Sequence, residues 1–216
     1  MKKLKIKLTF TEDVLGGLNN NDKVFEEFHK PKAPVDKQAE EAEATVDPAA
    51  SNDMEKMTTV FPKNPDGSKF CWDYQVRGFF KEAMTVGCEL GEEVMKSLSK
   101  WTIKKTVDSM LFIEERRIPF IGVDGLPVSK VRELERPLRA QTMRGERICL
   151  ARSEVIDAGS SIVFTVGWLE SKSTKGTQRI TEDAITWALN YGALKGFGQW
   201  RGGGWGRFRW EAAEGA

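Results

Sequence analysis

The sequence predicts an α+β fold: an antiparallel sheet with helices on one face, long inserted loops and a glycine-rich loop near the C-terminal end. Three observations predict it. Leu4, Ile6, Leu8 and Phe10 alternate with Lys3, Lys5, Lys7 and Thr9, and period two with one apolar side is a strand with one face buried. Ile185, Ala188, Leu189, Gly192 and Ala193 fall on one helical face, which needs an apolar layer to pack against. After that helix comes Gly196–Trp210, GFGQWRGGGWGRFRW, leading into a last strand.

In chain order, the first strand is broken by Gly16-Gly17 and the Asn19–Asn21 run. Val24, Phe25 and Phe28 make a short apolar patch. From Lys30 to Met57 the chain carries three prolines, many alanines and glutamates and no aromatic residue. Such a stretch buries too little apolar surface to offset its ordering entropy, so residues 30–57 are expected to form a flexible acidic insertion that a protease cuts first. Pro62–Gly67 is turn chemistry. Asp73 is placed to cap a helix carrying Val76, Phe79, Phe80 and Ala83, with Arg77 and Lys81 on another face. Gly91 ends it, and Glu92–Trp101 is a second helical candidate. Val107–Glu115 reads as a strand, and Ile118–Val128 as a hairpin or protruding loop inside a basic, thumb-like excursion over residues 116–147. Ile148–Ile156 and Ser161–Leu169, joined by Asp157-Ala158-Gly159, read as an antiparallel hairpin. Thr181, Glu182 and Asp183 start the last helix, and Lys195-Gly196 end it. The whole chain, 1–216, is expected to be one domain.

Composition bounds the partners. The chain has 33 basic and 32 acidic residues, so net charge selects none. Locally the signs separate: Asp36–Glu55 holds seven acidic residues and one basic one, Lys130–Arg152 seven basic and three acidic. A basic block can be a solvated face, or it can track phosphates. No apolar run reaches the roughly 18 residues of a membrane span, and the opening segment is no signal-peptide core; a cytoplasmic protein with no membrane partner is expected. Cys71, Cys88 and Cys149 lack metal spacing or even pairing, and His29 is the single histidine. No metal and no cofactor is expected.

The glycine-rich stretch carries the most chemistry. Glycine permits positive φ and close backbone approach to a ligand, and successive exposed N–H groups form anion-binding concavities. Arginine forks onto phosphate, and aromatic faces stack bases. Trp200 and Trp205 are candidates for base stacking or for closing the loop. Arg201 can reach a phosphate beside Gly202, Gly203 and Gly204; paired to a nearby acid instead, it would serve only the turn.

Three segments, LKIKLTFTEDVLGG, WDYQVRGFFKEA and ALKGFGQWRGGGWGRFRW, together with the order strand, hairpin, helix, glycine loop, strand, resemble the RAMP superfamily. These are RRM-like, ferredoxin-fold proteins that form CRISPR effector backbones and crRNA-processing nucleases. The resemblance implies a ferredoxin-like sheet and a protein that grips single-stranded RNA or DNA by its phosphates, without catalysis. It also implies assembly along the strand as a homo-oligomer or as a subunit of a ribonucleoprotein, in a prokaryotic or phage-infected cell. The residues expected at the strand are Arg77, Lys81, Arg136, Arg139, Arg144, Arg147, Lys195, Trp200, Arg201, Gly202, Gly203, Gly204, Trp205 and Arg207. Family members that cleave use an aspartate or a histidine early in the chain. Asp22 and Asp36 sit in no recognisable motif, and His29, at the edge of the insertion, has no identifiable partner. A metal-independent endoribonuclease using His29 is thus the enzyme alternative. The third is an assembly or interaction protein that reuses the fold without nucleic acid.

Overall fold

The computed structural model describes residues 1–19, 58–142, 145–169 and 179–213, and of 19, 138–142 and 146–149 the backbone alone. His29, Asp22, Asp36, Arg144 and the 30–57 segment lie outside the described residues.

The central sheet is built from β1 (Lys2–Phe10), β6 (Leu111–Ile113), β10 (Ser161–Trp168) and β11 (Phe208–Ala212). Its order is β11-β1-β10-β6, every neighbouring pair antiparallel. Helix α1 (Asp73–Leu90) joins β1 to β6, and α3 (Glu182–Lys195) joins β10 to β11. Strand, helix, two strands, helix, strand, with the first and third strands central, is the ferredoxin-like arrangement. The period-two reading of the opening segment holds: Ile6, Leu8 and Phe10 are buried while Lys3 is exposed. They pack with Ile162, Phe164 and Val166 against Val76, Phe80 and Ala83 of α1 and Ile185, Ala188 and Leu189 of α3 in one core. Both helices therefore lie on one face of the sheet. Salt bridges of Lys3 with Glu114 and Lys7 with Glu211 decorate the other.

The helix ends follow local chemistry. Thr181 caps α3, its Oγ1 accepting from Ala184 N at 3.2 Å, and Gly196 N donates to Gly192 O at 2.7 Å at the other end. Gly91 ends α1 at φ 73°. At its start, Asp73 lies inside the first turn. The cap position is Trp72, whose N–H donates to Gln75 Oε1 at 2.9 Å, and the buried Asp73 carboxylate instead accepts from Arg77 and Arg116.

A second sheet holds β2 (Val14–Leu15), β3 (Leu18–Asn19), β4 (Thr58–Val60), β8 (Arg132–Thr142) and β9 (Gly145–Ile156). β8 pairs with β9 along its length, and β9 takes β2 and, in parallel, β4 on its other side near residues 152–156. A small third sheet pairs β5 (Phe70–Trp72) with β7 (Arg117–Pro119).

Three expectations fail here. The Ile148–Ile156/Ser161–Leu169 hairpin does not form: β9 pairs with β8, while β10 enters the central sheet between β1 and β6. Alternation marks a half-buried strand but not its partner. The turn residue Gly159, at φ 87°, donates to Phe10 O at 2.8 Å and so hands the chain from one sheet to the other. The strand expected over Val107–Glu115 divides into α2 (Ile103–Met110) and β6, because Ile103, Thr106 and Val107 bury at helical spacing. The helix expected over Glu92–Trp101 is only a 3₁₀ turn, Glu93–Met95; the segment must turn back from α1 to α2, which leaves Leu98 buried and Trp101 exposed.

Cys71 is buried in the core. Burial pushes its thiol far above the ordinary value, and the nearby Asp73 charge adds to this. Since the thiolate is the reactive form, iodoacetamide at pH 8 should label Cys71 at least about a hundredfold more slowly in the native protein than in urea, by peptide mapping. Equal rates would contradict its placement.

Candidate nucleic-acid interface

The glycine-rich stretch divides into a clasp and a tip. In the clasp, Phe197 N donates to Gly206 O at 2.8 Å, and Gly206 N donates to Asp13 O at 2.8 Å. A Cβ on Gly196 would stand 2.2 Å from Trp205 O, and one on Gly206 1.9 Å from Phe197 O. Two backbone strands cross there at a separation only glycine permits, and Phe197 is pinned into the core beside Phe10 and Phe79. These glycines are required by the fold. The tip is different: Arg201–Gly203 form one exposed 3₁₀ turn, and a Cβ on Gly202 would meet nothing within 4 Å.

Trp200 opens that turn at φ 53°, among the described residues the only non-glycine with positive φ. A bulky side chain held in this region marks local backbone strain. Its indole stacks on Trp205 at 6.1 Å between centroids and 18° between planes, so the two tryptophans close the loop on each other. Trp200 nevertheless stays 40% exposed.

Beneath Trp200 lies Arg136 of β8, 6% exposed. Its guanidinium carbon sits 4.3 Å from the centroid of the Trp200 ring, and Nη1 donates to Ser153 Oγ at 3.1 Å. Its buried Nε has no hydrogen-bond partner among the described residues, and no carboxylate there pairs with it. Burial pulls the guanidinium below the usual arginine value, yet arginine stays charged at neutral pH. Around it, Ser153 Oγ lies 2.7 Å from Thr59 Oγ1, which donates to Gln199 Oε1 at 2.9 Å. Hydroxyls from β4 and β9, an amide from the loop and a cation from β8 thus meet where the second sheet touches the glycine stretch.

Lys69, the other buried cation among the described residues, is treated oppositely. Lys69 Nζ binds both oxygens of Glu154, at 2.7 and 2.9 Å, and Phe61 N donates to the same carboxylate at 2.8 Å. Burying an uncompensated charge costs several kcal/mol, so the bare Arg136 is the anomaly of this region.

The remaining expected residues fall into three groups. Arg77, Lys81 and Arg201 hold acids: Asp73 at 3.2 Å, Asp108 at 2.5 Å and Glu82 at 2.6 Å. Arg201 thus ties the tip to α1, and the basic track along that helix is neutralised. Arg207 is exposed and Lys195 half-buried, neither with a carboxylate partner among the described residues. Arg139 and Arg147 lie on the β8–β9 ribbon, placed by backbone register alone, where Arg139 faces Ile148 and Arg147 faces Ala140. Sequence reasoning missed Thr59, Ser153 and Gln199. Nothing local marks them, since Thr59 and Ser153 are 94 residues apart in the chain.

Among the described residues no three His, Cys, Asp or Glu side chains converge as a metal site, and no helix is long and apolar enough to cross a membrane. No protein-family model matches the chain and no curated protein matches its sequence, so its functional reading rests on its own geometry.

Proposed function

We propose that this protein grips a single-stranded nucleic acid of RNA or DNA by its phosphates, as a RAMP-type binder without catalysis, at the junction of the glycine tip with the β8–β9 ribbon. The observation that carries this reading is Arg136, a buried guanidinium facing a hydroxyl and an indole, where Lys69, the other buried cation among the described residues, has a carboxylate. A phosphate at this junction supplies the missing counter-charge through a charge-assisted bond. Arg207, whose guanidinium reaches Gly204, and Lys195, in the last turn before Gly196, add positive charge to the glycine stretch. The open backbone at Gly202 gives close access, and the 40%-exposed Trp200 offers an aromatic edge.

The test separates a binding cation from a structural one. Arg136→Met should weaken binding to a labelled single strand by about tenfold to a hundredfold. The same change should leave urea stability unchanged or raise it by about 1 kcal/mol, because an uncompensated charge leaves the interior. Matched RNA, single-stranded DNA and duplex are compared in the same titration. Lost stability with unchanged affinity would make Arg136 purely structural and remove the support for this reading.

A further inference from the structure

A bulky side chain at the φ of 53° that Trp200 adopts is held against its backbone preference. Aromatic and cationic contacts hold it there. The ring stacks on Trp205 with 18° between the planes and covers the Arg136 guanidinium at 4.3 Å. Gly203 leaves room for both rings: a Cβ there would lie 3.1 Å from Trp205 Cδ1 and 3.2 Å from Trp200 Cδ2. With Trp200 in place Arg136 is 6% exposed, so a phosphate gains full access to it only when the indole moves.

The two tryptophans are not equally fixed. Trp205 is part of the clasp: its carbonyl oxygen would lie 2.2 Å from a Cβ on Gly196, and the next residue, Gly206, donates to Asp13 O at 2.8 Å. Trp200 belongs to the tip. Its neighbours are pinned by their side chains, Gln199 by Thr59 at 2.9 Å and Arg201 by Glu82 at 2.6 Å, while Trp200 itself stays 40% exposed. Return to negative φ would relieve its backbone, and the indole can swing out between the two pins. It would leave behind a flat aromatic face and a bare guanidinium. Those two surfaces suit another planar ring, an unpaired base attached to its phosphate.

Resting on the phosphate-binding reading of Arg136, we infer that the Trp205 face is a subsite for one unpaired base, which Trp200 occupies in the free protein and yields when the strand enters. The base takes the place of the indole on Trp205, and a phosphate beside it takes the uncovered guanidinium. Trp200 thus competes with the ligand, and the apparent affinity falls by the fraction of molecules in which the subsite is open. A chain of phosphates without bases displaces the same indole but gains no stacking in return.

RNA and DNA strands of about ten nucleotides, each beside an abasic strand of the same length and charge, test it on the full chain. Wild type should bind the base-bearing strand about tenfold more tightly than the abasic one. Trp205→Leu keeps apolar bulk without the flat face, and should lose most of that preference while still binding the abasic strand. Trp200→Gly should bind the base-bearing strand about threefold to tenfold more tightly than wild type. Glycine accepts a positive φ, so this variant should melt close to wild type. With 5-fluorotryptophan in the chain, the Trp200 fluorine signal is the one missing from Trp200→Gly, and its solvent isotope shift should rise when the base-bearing strand is added. Equal affinity of wild type for the two strands, weaker binding by Trp200→Gly, or a Trp200 signal that becomes less exposed on binding would each overturn the inference. If these fail while the abasic strand binds wild type and Arg136→Met weakens it, the phosphate grip stands without the base subsite. If neither strand binds, the phosphate reading falls and the base subsite with it.

Discussion

Gly206→Ala is expected to destabilise the protein by about 4 kcal/mol, the scale of backbone clashes at strained positions. The added Cβ would lie 1.9 Å from Phe197 O and within 3.0 Å of Phe197 C and N. All three are main-chain atoms of the clasp, so no side-chain rotation relieves the contact. Gly206 also sits at φ 70°, which an L side chain rarely adopts. Opening the clasp would break the Phe197–Gly206 and Gly206–Asp13 hydrogen bonds and lift Phe197 from the core. Gly202→Ala, four residues away, should change stability by no more than about 0.5 kcal/mol, because its Cβ enters open space. Urea midpoints of the two variants measure this contrast directly. Similar losses at both positions would mean that the clasp does not hold the loop.

The second large effect is expected at Lys69. Lys69→Met should cost about 3–5 kcal/mol, the range for removing one partner of a buried ion pair. Lys69 and Glu154 are both largely buried, with side-chain exposures of 8% and 15%. Without the ammonium, the Glu154 carboxylate keeps only the Phe61 N–H as a described donor. Glu154 belongs to β9, and its backbone carbonyl also accepts from Gly16 N at 2.9 Å. The damage should therefore spread to the pairing of β2 and β4 with β9, which brackets the Arg136 site. Urea unfolding and amide exchange at residues 14–18 and 58–61 read it out. A loss under about 1 kcal/mol would show that the pair is solvated rather than buried.

Arg136→Met and Lys69→Met thus carry opposite expectations although both delete a buried cation. The sign is set by whether a carboxylate is left behind.

Local features were readable from the residues alone. The opening strand, α1, α3, the Thr181 cap, the Gly91 stop and the basic last turn before Gly196 each follow from contacts within a few positions of the chain. Pairing was not readable. Ile148–Ile156 and Ser161–Trp168 both carry strand patterns, and only the Gly159 turn against Phe10 sends them to different sheets. The short apolar run at 103–113 was ambiguous because helix and strand periods overlap over so few residues. In the glycine stretch, composition suggests one ligand loop, whereas the geometry makes Gly196 and Gly206 a clasp and leaves the tip open at Gly202. Arg136 was one of seven cations between Lys130 and Arg152. What singles it out is that no carboxylate among the described residues pairs with it, although its neighbours come from β4, β9 and the loop, all distant in the chain.

The central claim, that a strand is held by its phosphates at this junction, is tested most directly by the salt dependence of binding. The logarithm of Kd for a labelled single strand is measured against the logarithm of salt concentration, for wild type and for Arg207→Ala. Arg207 is exposed and free of a carboxylate partner among the described residues, so its removal should leave the fold intact. The account predicts that log K of association falls with a slope between about −2 and −4 for wild type, from three to five neutralised phosphates on a single strand. For Arg207→Ala the slope should be shallower by about 0.7. A flat salt dependence in wild type, or equal affinity for an unrelated polyanion and a nucleic-acid strand, would contradict it.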